Sequence, residues 1–101
     1  ISPKNILNAQ VTYATAQQTA QNWLATVPYL ADATPIVRTN NTQGEIVIAP
    51  ELNLYEKTGL WEEEISTYYC WEVIFDFSEN DQTYQGCVWV NIQTGDVVGA
   101  A

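Results

Sequence analysis

Two runs dense in aromatic and β-branched residues, Thr67 to Phe77 and Tyr84 to Ile92, lie either side of a polar break in the last third of the chain. Such runs, bounded by turn-forming residues, predict the arms of one long β-hairpin. Side chains alternate between faces along a strand, so Trp71, Val73 and Phe75 are expected to share a core face with Val88 and Val90. The second arm runs into Val90-Asn91-Ile92-Gln93-Thr94-Gly95-Asp96-Val97-Val98, a strand entering a tight polar turn with glycine where a positive φ is needed.

The rest of the chain must cover that hairpin, and with 101 residues there is room for one small core. An apolar fraction of 47%, four tryptophans and six tyrosines against 15% charged residues mark a globular chain, not a disordered one. Twelve acids against three bases, Lys4, Arg38 and Lys57, give a net charge of −9, which repels phosphate backbones and anionic lipid and so argues against nucleic acid as a partner. No apolar stretch approaches the ~18–20 residues of a membrane span, and no basic-then-apolar signal opens the sequence. A chain that begins Ile1-Ser2-Pro3 and lacks methionine fits a mature form or fragment of a longer precursor that has lost a signal peptide or membrane anchor.

Residues 1–10 read as a polar lead-in, an extended arm or linker without a motif, and residues 11–101 as a single domain. From Val11 the apolar spacing of Ala14, Ala16, Ala20, Trp23, Leu24 and Val27 predicts an amphipathic helix with Gln17, Gln18, Gln21 and Asn22 facing water. Thr12 or Thr15 is placed to cap its start, and Pro28 marks its end or a kink. Ile36 to Thr39 and Glu45 to Ala49, either side of the polar turn Asn40 to Gly44, read as a second hairpin. Beyond Pro50, Leu52 and Leu54 alternate as an edge strand or extended loop. The expected fold is therefore α+β, with one N-terminal amphipathic helix on a curved antiparallel sheet of about four strands. Its expected core is Trp23, Leu24, Ile46, Ile48, Trp71, Val73, Phe75, Val88 and Val90.

Catalytic chemistry finds little support. The sequence has no histidine, which removes the commonest general base, the commonest zinc ligand and every Ser-His or Cys-His nucleophile pair. No phosphate-cradling glycine loop is present, and two cysteines without histidine do not make a tetrahedral metal site. The expectation is a non-enzyme with no cofactor and no metal. In a regular hairpin Cys70 and Cys87 share the non-core face about four positions out of alignment, or ~13 Å, beyond disulfide reach. A bulge would change that, and a bridge would then contribute about 3 kcal/mol.

Asp76 to Asp81 alternates oxygen ligands like the start of a calcium loop but lacks the glycine and the closing glutamate, so a solvated hairpin turn is the better reading. Glu62, Glu63 and Glu64 beside Trp61 concentrate negative potential next to an indole and form the candidate contact for a basic partner, against the plainer reading of a charged, solubilising loop. Tyr68, Tyr69, Tyr84 and Trp89 are either an exposed contact face or cross-strand pairs that stabilise the sheet. Asn40-Asn41-Thr42 matches a glycosylation sequon, a pattern frequent by chance.

Helix, strands, then Val90-Asn91-Ile92-Gln93-Thr94-Gly95-Asp96-Val97 resembles the PepSY domain, whose closing strand and turn read V-D-x-x-T-G-x-V. The likeness covers about Thr12 to Val98: the alanine-bearing helix from Ala14 to Leu24 resembles the family's opening helix, and Trp71-Glu72-Val73 its Y-x-V strand. Asn91 stands where the family has aspartate. The resemblance implies a non-catalytic domain of secreted or cell-envelope bacterial proteins, in some cases within propeptides proposed to restrain peptidases. Asn91, Thr94, Gly95 and Asp96 are then a structural turn. The expected partner is a protein, such as a secreted peptidase. The alternatives are an assembly module of a longer surface protein, or a small-ligand binder with an aromatic pocket between helix and sheet.

Overall fold

A computed structural model of the chain describes residues 2–51 and 66–101. Helix α1, Tyr13–Leu24, begins where the Thr12 side chain accepts the Thr15 amide at 3.2 Å, so of the two candidate caps Thr12 is the one used. It buries Tyr13, Ala16, Ala20 and Leu24, the i, i+3, i+4 stripe of a core-facing helix; Ala14 is exposed. Pro28 opens a 3-10 helix, Pro28–Ala33, at the first-turn position where its missing N–H costs nothing. No helix among the described residues is long and apolar enough to cross a membrane.

The strands are β1 (Ile36–Val37), β2 (Ile46–Pro50), β3 (Thr67–Glu79), β4 (Gln82–Asn91) and β5 (Val97–Ala100), joined in one antiparallel sheet of five strands. β3 and β4 are the long hairpin, with Trp71 opposite Val90 and Val73 opposite Val88. The core face is the expected one. Phe75, Leu24, Leu30, Val27, Val73, Val88 and Val90 are fully buried, and Trp23 and Trp71 pack partly buried at the margin. The fold is thus the expected α+β class, helix on sheet, with five strands instead of about four.

The second hairpin does not form. β1 and β2 both pair antiparallel with β3, Ile36 opposite Asp76 and Ile46 opposite Trp71, and so lie end to end along the same edge. The segment between them follows that edge, with the Arg38 amide donating to the Ile74 carbonyl and the Glu72 amide to the Glu45 carbonyl. β3 supplied a longer ladder than the two short segments could offer each other. Two other expectations change with it. Ile46 is only half-buried and Ile48, opposite Tyr69, is 55% exposed, because α1 starts over Trp71 and packs on β1, β3, β4 and β5.

Gln17 and Gln21 also do not simply face water. Gln17 Nε2 donates to the carbonyls of Arg38 and Asn41, while Gln21 accepts the Val37 amide at 2.8 Å and donates to the Pro35 carbonyl at 2.9 Å. Gln18 and Asn22 pair with each other on the exposed side. Gly44, at φ +74°, lies flat against the Tyr13 ring, where a Cβ would come within 2.4 Å.

Candidate functional site

The turn between β4 and β5 is organised by one side chain. Asn91, the last residue of β4, is 6% exposed, and its Oδ1 accepts the Gln93 amide at 2.8 Å, the Thr94 amide at 3.2 Å and the Asn5 Nδ2 at 3.0 Å. Its main chain closes the same turn, donating to Asp96 and accepting from Gly95. Gly95 sits at φ +79°, and the Thr94 hydroxyl accepts the Asp96 amide. Asn91, Thr94, Gly95 and Asp96 are therefore brought together in one turn, with Thr94 and Asp96 exposed and Asn91 buried beneath them.

The lead-in is part of this assembly. Asn5 acts on β3 as a strand residue would, accepting the Tyr69 amide at 2.7 Å and donating to the Tyr69 carbonyl at 3.0 Å, while Lys4 donates its amide to Thr67. Gln10 and Val11 both donate to the Ile92 carbonyl. Nothing local in the sequence singles out Asn5: its partners lie 64 and 86 positions away.

Where the arm meets the start of α1, a groove of about 440 Å³ opens between Gln10, Thr12, Tyr13, Thr42, Gln43 and Trp71. Tyr13 and Trp71 pack with ring centroids 5.4 Å apart, and the Trp71 indole N–H is taken by the Val11 carbonyl at 2.7 Å. Burial pushes the Tyr13 hydroxyl pKa above its ordinary value. No charged side chain lines the groove.

Trp61, Glu62, Glu63 and Glu64, the candidate partner contact, lie outside the described residues. Within Asp76 to Asp81 the acids do not converge. Arg38 holds Asp76 in a two-pronged pair, both bonds 2.8 Å, and bonds Gln85 at 3.1 Å; this holds the Asp76 carboxyl below the usual carboxylate range. Asn80 and Asp81 are the two positive-φ residues of the hairpin turn, at 53° and 64°. Among the described residues no group of three or more potential ligands is placed to hold a metal.

Cys70 is opposite Asn91 and Cys87 opposite Ile74, the four-position offset of the regular ladder, and both thiols are free. Burial pushes the Cys70 thiol up to about 12 and raises that of Cys87, which suits neither to nucleophilic work at neutral pH. No family model matches the chain, and no curated protein or solved structure gives a significant match.

Proposed function

We propose that this chain is a non-catalytic, extracytoplasmic PepSY-like domain that binds a protein partner and restrains a secreted peptidase. The observation that supports this most is the Asn91 turn. At the position where the family pattern has aspartate, the Asn91 Oδ1 gathers two turn amides and the arm, which is the work a carboxylate oxygen would do there. The asparagine keeps one acceptor oxygen and replaces the other, and the charge, with an NH2 donor. A histidine-free chain of net charge −9 suits a binding role toward a basic surface better than a reaction. Trp61 and Glu62 to Glu64 are the first residues to mutate.

The test is capture from the secreted and envelope fraction of the source organism, with a panel of secreted metallopeptidases assayed in parallel. Saturable inhibition or capture of a peptidase is the expected result. A domain that inhibits and captures nothing, and associates only with itself or its neighbours, would make it an assembly module instead. The uncharged groove beside Trp71 favours a second reading, a small-ligand binder. A saturable change in tryptophan fluorescence with uncharged ligands, lost in Trp71→Phe, would select that reading.

A further inference from the structure

The hydrogen-bonding direction along β4 is fixed by its neighbours. Asn91 donates to Asp96, and Cys87 exchanges both main-chain bonds with Ala101 at 2.9 and 3.0 Å, so both residues point to the β5 side. The two-residue period then turns the N–H and C=O groups of Gln85 and Thr83 the same way. Among the described residues, no strand pairs with β4 on that side beyond Cys87. Gln82, Thr83, Tyr84 and Gln85 are all exposed.

Open edges are usually guarded by proline, charge, a bulge or a covering group. The other edges here follow that rule. β2 ends in Pro50, the β4–β5 pairing shifts register between Trp89 and Val90 so that Val98 of β5 has no partner opposite it, and the outward amide of Val37 in β1 is capped by the Gln21 side chain. Gln82-Thr83-Tyr84-Gln85-Gly86 has none of these guards: it contains no proline and no charge, and its pairing with β3 is regular through Gly86 opposite Phe75. Tyr84 stacks on Phe77 at 5.6 Å and presents a partly exposed aromatic face beside the edge.

We propose that the outward edge of β4 from Gln82 to Gly86 accepts an extended, proline-free, cationic segment of a partner protein as an added strand. The occupant follows from charge. Glu79 and Asp81 flank the edge, and among the described residues the base beside it, Arg38, is neutralised by Asp76 while its guanidinium also bonds the Gln85 side chain. A second copy would bring −9 against −9, whereas a Lys- or Arg-bearing strand is attracted by the same field. This site rests on the reading of the chain as a protein-binding module and gives that reading a surface.

The probe is a synthetic peptide alternating lysine and valine, compared with its copy N-methylated at alternate residues and its glutamate-for-lysine copy. Hydrogen exchange of the Thr83 and Gln85 amides, read by NMR, is expected to slow at least about tenfold with the first peptide and with neither control. Thr83→Lys, which keeps the fold and guards the edge, and Thr83→Pro, which deletes the outward donor, should both abolish the protection. Unchanged exchange at Thr83 and Gln85, protection at β2 instead, or protection that grows with protein concentration without peptide would each overturn the proposal.

The peptidase assay separates the two claims. Equal capture of a peptidase by wild type and Thr83→Lys would overturn the edge and leave the restraining role standing. Peptide protection without any peptidase capture would leave the edge standing and remove that role.

Discussion

At the residue scale, Asn91 carries the most structure for its size. Its Oδ1 satisfies two turn amides and ties down Asn5, so Asn91→Ala leaves three donors to find other partners in a half-buried site. Each net hydrogen bond contributes roughly 0.5–1.5 kcal/mol, so a loss of about 2–3 kcal/mol is expected in urea unfolding. Asn91→Asp, which keeps the acceptor, should lose much less; equal losses would mean that the side-chain amine, not the oxygen, matters. Asp76 offers a second measurement. Its folded pKa lies below the unfolded one, so the Arg38 pair stabilises the protein above the ordinary carboxylate range, and that contribution is lost as pH falls through it. A carboxyl-carbon NMR titration should find Asp76 depressed in the wild type and back at its ordinary value in Arg38→Gln. The pair is exposed, so a small effect on unfolding is expected.

At the scale of the elements, the β3–β4 hairpin turns through Asn80 and Asp81, both at positive φ, a conformation that favours glycine at the second position. Asp81→Gly should therefore raise stability by about 0.5–1 kcal/mol, read as a shift in the urea midpoint at constant slope. A loss would show that the Asp81 carboxylate bonds the turn more strongly than its backbone strains it. The arms of this hairpin and their buried face were legible in the sequence, because alternation puts Trp71, Val73 and Phe75 on one face with Val88 and Val90, and only a slip by an odd number of residues would turn that set outward. The observed register separates Cys70 from Cys87. The pairing of Ile36–Val37 and Ile46–Pro50 was not legible. Short β-branched segments flanking a polar turn look alike whether they pair with each other or with a third strand, and the choice is made by β3, residues away. The glutamines that clamp β1 from α1 left no trace either, since a side chain that caps a strand edge and one that faces water share a helical position. Of the candidate site, the closing turn was readable because its chemistry is local; the Asn5 anchor was hidden because its partners are far along the chain.

At the scale of the whole molecule, charge outweighs any single pair. The chain carries twelve acids against three bases, and its radius of gyration is 13.5 Å. The Debye length falls from roughly 30 Å at 0.01 M salt to about 8 Å at 0.15 M, so at low salt each carboxylate feels nearly all the others and at physiological salt only its neighbours. The unfolded chain spreads the same charges over a larger volume, so screening relieves the folded state more. Thermal stability at pH 7 is therefore expected to rise with sodium chloride over that range, each kcal/mol of relieved repulsion raising the Tm by about 4–8 °C. The effect should fade as pH approaches the isoelectric point near 4.1, where the net charge vanishes. Calorimetry across both variables separates this from ion binding at one place, which would saturate with salt and distinguish one cation from another. A Tm indifferent to salt at pH 7 would mean that the acids are spaced widely enough to be screened already, and would weaken the charge argument for a cationic partner at the β4 edge.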